Sequence, residues 1–204
     1  MSVFAITEPA VRLGLVSPWM KNGNLTQYLA KTSQIDRLSL VSDIAFGIDY
    51  LHSFDPQVIH GDLKGPNILI TDDHRACVAD FGLCLLAQNS ALQVTMTSSS
   101  NDGGSLFWMA PELLGDDEDG GYKNCATDIY AFGCVCYEIF NGRPPFFDIR
   151  PNKALIAITE SRVPPRPMHR DLDDTLWMLI LQCLHRDPSS RPSMSEVSQQ
   201  LSSR

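Results

Sequence analysis

Basic side chains are outnumbered in this 204-residue chain, 16 Lys and Arg against 24 Asp and Glu, for a formal net charge of -8. Phosphate backbones and anionic lipid surfaces attract basic faces, so this balance argues against nonspecific nucleic-acid or membrane-surface binding. No uninterrupted apolar run reaches the length of a membrane span, and the first residues carry Glu8 and Arg12 without a basic leader. A soluble, cytoplasmic protein is the resulting expectation. Cys-x-x-Cys pairs and zinc-type spacings are missing too: of the six cysteines, Cys77, Cys84, Cys125, Cys134, Cys136 and Cys183, several sit inside apolar runs, and they read as reduced core thiols. With 44% hydrophobic and 20% charged residues the chain has enough for one substantial core in a single domain, which excludes a disordered tail.

What is present centres on His60-Gly61-Asp62-Leu63-Lys64-Gly65-Pro66-Asn67, entered by apolar Val58-Ile59 and left by Ile68-Leu69-Ile70. Polar groups are thereby held on a short loop between two short strands. The set suits transfer of a phosphoryl group to a hydroxyl: Asp62 to accept or orient the hydroxyl proton, Lys64 to balance transferred charge, and Asn67 to offer an amide oxygen to a divalent metal. Taken alone, the same residues also read as a plain turn rich in Gly, Pro, Asp and Asn.

Two further motifs add to it. Cys77-Val78-Ala79 reads as a buried strand ending in Asp80-Phe81-Gly82, and Ala110-Pro111-Glu112 follows later in the chain. In this order the three motifs resemble the protein kinase family, with its catalytic loop, metal-binding Asp-Phe-Gly and Ala-Pro-Glu signatures. The resemblance implies an α+β, protein-kinase-like fold: a mainly helical large lobe with short strands and a remnant of the small-lobe sheet. It implies Asp62 as catalytic base, Lys64 at the transferred phosphate, Asn67 and Asp80 as ligands of Mg2+, and ATP as phosphoryl donor to a protein substrate with a serine or threonine acceptor. Lys64, two residues after the base, favours the serine/threonine side, and Trp108-Met109-Ala110-Pro111-Glu112 with the hinge looks like the tyrosine-kinase-like group.

The rest of the chain divides accordingly. Residues 1–20 read as a two-stranded hairpin (3–6 and 13–16) leading into a hinge, and 21–204 as the large lobe. By the resemblance Ser17 lines the back of the adenine pocket, Trp19 and Met20 sit on the hinge, and Leu69 lies on the cofactor-binding face. Residues 34–52 place Ile35, Leu38, Val41, Ile44, Ala45, Ile48 and Leu51 at helical spacing, a core helix. Strands are expected at 58–60, 68–70 and 77–79, with 71–75 as a turn. The polar tract at 95–104 matches an activation segment, and the stretch carrying Ser105 and Trp108 matches the loop that docks substrate. Residues 115–121 are an acidic, glycine-flanked run, read as a solvated loop. A mostly apolar helix from Thr127 to about Phe140 should be buried, ending at Asn141-Gly142. Further helices are expected at 152–160, at 175–184 and after Ser193, whose spacing to Glu196 fits a capping box. By resemblance, Asp128 reaches back to the backbone near His60, and Arg191 pairs with Glu112.

The departures matter equally. No Gly-x-Gly-x-x-Gly and no Val-Ala-Ile-Lys-type lysine precedes the hinge, and only Lys21 and Lys31 precede the catalytic loop. Both parts grip the phosphates of ATP in a kinase, so the chain reads as a truncated kinase domain. Gly61 stands where most kinases carry an arginine that pairs with a phosphate on the activation segment, so phosphorylation there should be weakly coupled to the fold. Two functions stay open: a serine/threonine kinase by descent, or a catalytically silent kinase-like module. The face that a small lobe would cover, near 17–20, Leu69 and Phe81, should expose apolar surface and could take a protein partner.

Overall fold

A computed structural model describes residues 2–6, 12–80, 85–86, 105–114 and 121–204. Phe81-Gly82, Cys84, the tract at 95–104 and most of the acidic run, 115–120, lie outside the described residues. The architecture is α+β and mainly helical.

Strands β1 (Ser2–Ile6) and β2 (Arg12–Val16) form an antiparallel hairpin with Ser2 opposite Val16. Helix α1 (Leu25–Lys31) opens on a capping box in which Asn24 and Gln27 satisfy each other's backbone donors. Helix α2 (Arg37–His52) begins three residues later than its periodicity suggests, because Asp36 takes the cap position and accepts from Ser39 N. Ile35, just ahead of the cap, joins Leu40 in the core, the arrangement that staples a helix entry. Leu40, Val41, Ile44, Ala45 and Ile48 are buried, but Leu38 is 38% exposed and does not belong to the core stripe expected of it.

Strand β3 (Val58–Ile59) pairs with β6 (Leu85–Leu86), and β4 (Ile68–Ile70) pairs with β5 (Ala76–Val78). β5 sits one residue earlier than expected and is not a buried strand throughout. Successive side chains point to opposite faces, so Val78 packs inward against α2 while Cys77 is exposed. Cys77 is therefore not a core thiol, and Cys125 is only partly buried.

Helix α3 (Cys125–Asn141) runs through the centre, with every residue from Thr127 to Phe140 buried. Asn124 and Thr127 cap its start, two residues before the expected one, and Gly142 closes it in a left-handed conformation at φ 82°. Around it stand α4 (Pro151–Thr159), α5 (Asp174–Cys183) and α6 (Met194–Ser202), the last opened by the Ser193–Glu196 capping box. Phe132, Val135 and Ile139 of α3 share one core with Ile44 and Ile48 of α2, Leu176 and Ile180 of α5 and Val197 of α6. Cys134, Cys136 and Cys183 lie within that core, where burial raises their thiol pKa values, that of Cys183 to about 12. Among the described residues no helix is long and apolar enough to cross a membrane.

Candidate active site

The loop between β3 and β4 is shaped from α3. Asp128, 1% exposed, accepts from the backbone N–H of His60 at 2.8 Å through Oδ2 and from that of Gly61 at 2.9 Å through Oδ1. Gly61 has φ 75°, a left-handed conformation that glycine adopts without a Cβ penalty. His52, at the end of α2, places Nε2 3.0 Å from the same carboxylate. Burial alone would push the His52 imidazole down, but hydrogen bonds to Asp128 and Cys125 outweigh it and raise its pKa to about 9. His60 is fully buried. Its Nδ1 accepts from Asp62 N at 3.3 Å, so Nε2 carries the proton donated to Ala79 O at 3.0 Å.

That clamp presents a small polar cluster. Asp62 Oδ2 lies 2.7 Å from Lys64 Nζ and accepts from Asn67 Nδ2 at 2.9 Å, while Asn67 Nδ2 also donates to Asp62 O at 2.8 Å. Ser105 Oγ accepts from Lys64 Nζ at 2.9 Å and donates to Asp62 Oδ1 at 3.1 Å. Asp62, Lys64, Asn67 and Ser105 thus form one network, with Asp62 and Lys64 still partly open to solvent. A carboxylate oriented by three donors at the surface can receive a hydroxyl proton, and the lysine beside it can meet a phosphoryl oxygen.

Asp80 lies just beyond β5, exposed, with φ 63°, a conformation that Asp tolerates better than most residues. The bond from Ala79 N to Asn67 O, 2.9 Å, holds the end of β5 against Asn67. Because the Asn67 amide nitrogen is committed to Asp62, its oxygen is the atom left to face a cation. A carboxylate and an amide oxygen are hard donors of the kind Mg2+ takes, with phosphate oxygens completing its shell. The residues present fit that ion.

The predicted nucleotide-facing residues are spread along an open edge. Ser17 and Trp19 are exposed, Trp19 by 88%, and Met20 and Leu69 are partly buried. A turn joins them to the sheet: Gly23 N donates to Met20 O, Ile70 N donates to Gly23 O, and Asn24 bridges Leu69.

Glu138 went unread in the sequence. Fully buried in α3, it accepts from Thr26 Oγ1 at 2.8 Å, from Trp108 Nε1 at 3.1 Å and from the backbone of Gly65, while burial pushes its carboxyl pKa up. A Cβ on Gly65 would stand 2.6 Å from both Glu138 Oε2 and Thr26 Oγ1, so the close approach requires glycine. Trp108, buried at 8% exposure, turns its ring to this carboxylate and so anchors the loop that carries Ser105. The signal was a second acid, ten residues after Asp128, in an otherwise mostly apolar helix. Lys123 was missed as well: burial lowers its ammonium pKa, with Asp62 and Asp128 acting in the opposite sense. Farther out, Arg191 forms a two-pronged pair with Glu112, Nη1 to Oε1 at 2.6 Å and Nη2 to Oε2 at 2.8 Å, and also donates to Ala126 O.

Comparison with known proteins adds an independent finding. The family model for protein tyrosine and serine/threonine kinases matches residues 2–201. The chain is 31% identical to serine/threonine-protein kinase CTR1 of Arabidopsis thaliana, over 95% of this chain and 23% of that protein. It is 34% identical to serine/threonine/tyrosine-protein kinase HT1 of the same plant, over 90% of this chain and 45% of that one. A putative serine/threonine-protein kinase/receptor R831 of Acanthamoeba polyphaga mimivirus is 34% identical over 92% of this chain and 11% of its own length. The chain spans less than half the length of each of these relatives.

Proposed function

The chain belongs to the protein tyrosine and serine/threonine kinase family, and from that premise we propose that it carries the catalytic half of an ATP-dependent protein serine/threonine kinase. The observation that carries this reading is the single network of Asp62, Lys64, Asn67 and Ser105. Asp62 orients the acceptor hydroxyl of a protein substrate and takes its proton as the oxygen bonds to the γ-phosphorus of ATP and the β–γ bridging bond breaks, releasing ADP. Lys64 meets the equatorial oxygens of the moving phosphoryl group. Asn67 and Asp80 are the residues that would hold Mg2+, and the ion would supply charge neutralisation at the phosphates. Ser105, bonded to both Lys64 and Asp62, ties the substrate loop to the catalytic pair, and Trp108 fixes that loop to Glu138. The adenine lies along the edge formed by Ser17, Trp19, Met20 and Leu69, in a cytoplasmic protein.

A second reading has its own support. Trp19, 88% exposed, favours a silent kinase-like module that binds a protein partner across the edge bearing it. The test is phosphate transfer from labelled ATP to serine and threonine peptides, by the chain alone and by the chain fused to a kinase small lobe with its glycine-rich loop and lysine. The kinase reading expects weak transfer alone, strong transfer by the fusion, and loss of both in Asp62→Asn. A fusion that binds ATP and transfers nothing would leave the binding module.

A further inference from the structure

Ser105 Oγ is engaged as an acceptor hydroxyl would be. It donates to Asp62 Oδ1 at 3.1 Å and accepts from Lys64 Nζ at 2.9 Å, the two partners given above to the hydroxyl of a protein substrate. They lie 43 and 41 positions earlier in the chain, although a serine at this place has a local alternative. Ser105 precedes the single helical turn Leu106–Trp108, where a serine hydroxyl ordinarily caps a nearby backbone N–H. Here its side chain makes no cap bond, and the turn is closed by backbone alone, Trp108 N donating to Ser105 O at 3.1 Å.

A serine hydroxyl has one hydrogen and two lone pairs. The hydrogen goes to Asp62 and one lone pair to Lys64, which leaves one lone pair for a bond to phosphorus. The side of the loop beyond Ser105 is fixed by Trp108, whose indole is bonded to the buried Glu138. On the other side Asp128 fixes the backbone of His60 and Gly61 that leads into Asp62. Base, cation and hydroxyl are thus placed together before any substrate arrives.

We propose that Ser105 is a self-phosphorylation site of this chain: its hydroxyl oxygen bonds to the γ-phosphorus of ATP, the β–γ bridging bond breaks to release ADP, and the hydroxyl proton passes to Asp62. Ser105 would then serve as an acceptor inside the chain, which rests on the kinase function proposed above and goes beyond it. An acceptor already in place needs no encounter, and well-oriented intramolecular reactions reach effective molarities of roughly 10⁵ M or more, so Ser105 outcompetes a dissolved peptide. The product limits further transfer. A phosphoserine brings a charge of about -1.5 to -2 against the Asp62 carboxylate and draws Lys64 to itself, so the base and the cation that a peptide hydroxyl needs are both taken.

The whole 204-residue chain, alone and in the small-lobe fusion, is incubated with magnesium and ATP beside a serine peptide, and fragment mass spectrometry assigns phosphate to position independently of turnover. Phosphate should appear on Ser105, more slowly in the chain alone, at a fractional rate that does not change with chain concentration, and not at all in Asp62→Asn. Transfer to the peptide should fall about 100-fold as Ser105 fills; undiminished transfer by the modified chain would strike out the self-limiting effect. A phosphorylated peptide beside an unmodified Ser105, phosphate on Thr95, Thr97, Ser98, Ser99 or Ser100 in its place, or a fractional rate that rises with chain concentration would each overturn the proposal and leave the kinase reading standing. A fusion that modifies neither Ser105 nor the peptide would overturn both.

Discussion

Trp108 and Glu138 meet inside the protein, the indole Nε1 donating to Oε2 at 3.1 Å, and the same carboxylate accepts from Thr26 on α1 and Gly65 on the catalytic loop. Three separate segments converge on one buried acid.

Glu138→Gln keeps the volume but turns amide hydrogens toward groups that themselves donate. One donor in that set is left facing another, which costs about 1 to 3 kcal/mol for a buried unsatisfied group. Urea denaturation should show a lower midpoint with an unchanged slope. A Gln variant as stable as the native protein would mean that the carboxylate is not holding these segments.

Asp62→Asn and Asp80→Asn should differ in signature. The first removes the proton acceptor and lowers the chemical step on the order of 100- to 10,000-fold in a small-lobe fusion, leaving nucleotide affinity intact. The second weakens magnesium-dependent nucleotide binding. Trp19, 88% exposed at the proposed adenine edge, supplies the readout, because its emission should change when Mg2+ and nucleotide bind. Identical binding curves for the two variants would remove the separate roles given to base and metal ligand.

The motif residues could be read because Asp62, Lys64 and Asn67 lie within one short stretch, where the chemistry of a loop is written in adjacent letters. The apolar run of α3 was equally plain. Glu138 was not, since its partner Thr26 is 112 positions away and its Trp108 partner 30, and nothing local marks a buried acid as satisfied. The same holds for His52, whose side chain reads as an ordinary helix terminus until Asp128 is brought to it. Cys77 was misjudged because a short apolar strand does not say which of its faces is covered. The early start expected for α2 missed Asp36, whose side chain caps the helix by accepting from Ser39 N.

His52 makes stability depend on pH. Its pKa is about 9 in the folded chain against 6.5 for a free imidazole, so folding takes up a proton between those values. The contribution is fully present below pH 6.5 and is lost as pH rises through about 9. Its size is on the order of 3 kcal/mol. Denaturation midpoints compared near neutral and at about pH 9.5 should fall in the native protein and fall less in His52→Gln. An equally steep fall in the variant would assign the dependence to another group.

Arg191, with a fully buried side chain, is paired to Glu112. Arg191→Met strands that carboxylate and three backbone carbonyls, and should cost about 3 to 5 kcal/mol. Adding Glu112→Leu should recover part of the loss, since the stranded charge disappears with it. Calorimetric melting of the two single variants and the double decides the matter; strict additivity would show that the pair is not coupled.

The two amides that Asp128 holds belong to residues 68 and 67 positions earlier in the chain. During synthesis the catalytic loop therefore emerges well before the group that shapes it, and its contacts are long-range ones that form only after a costly loop closure. Until α3 has docked, Gly61 has no reason to keep its left-handed turn and Asp62 has no fixed direction. The acid–base role proposed for Asp62 would thus be a late acquisition of folding, made when the central helix closes against the loop and not when the loop itself is made.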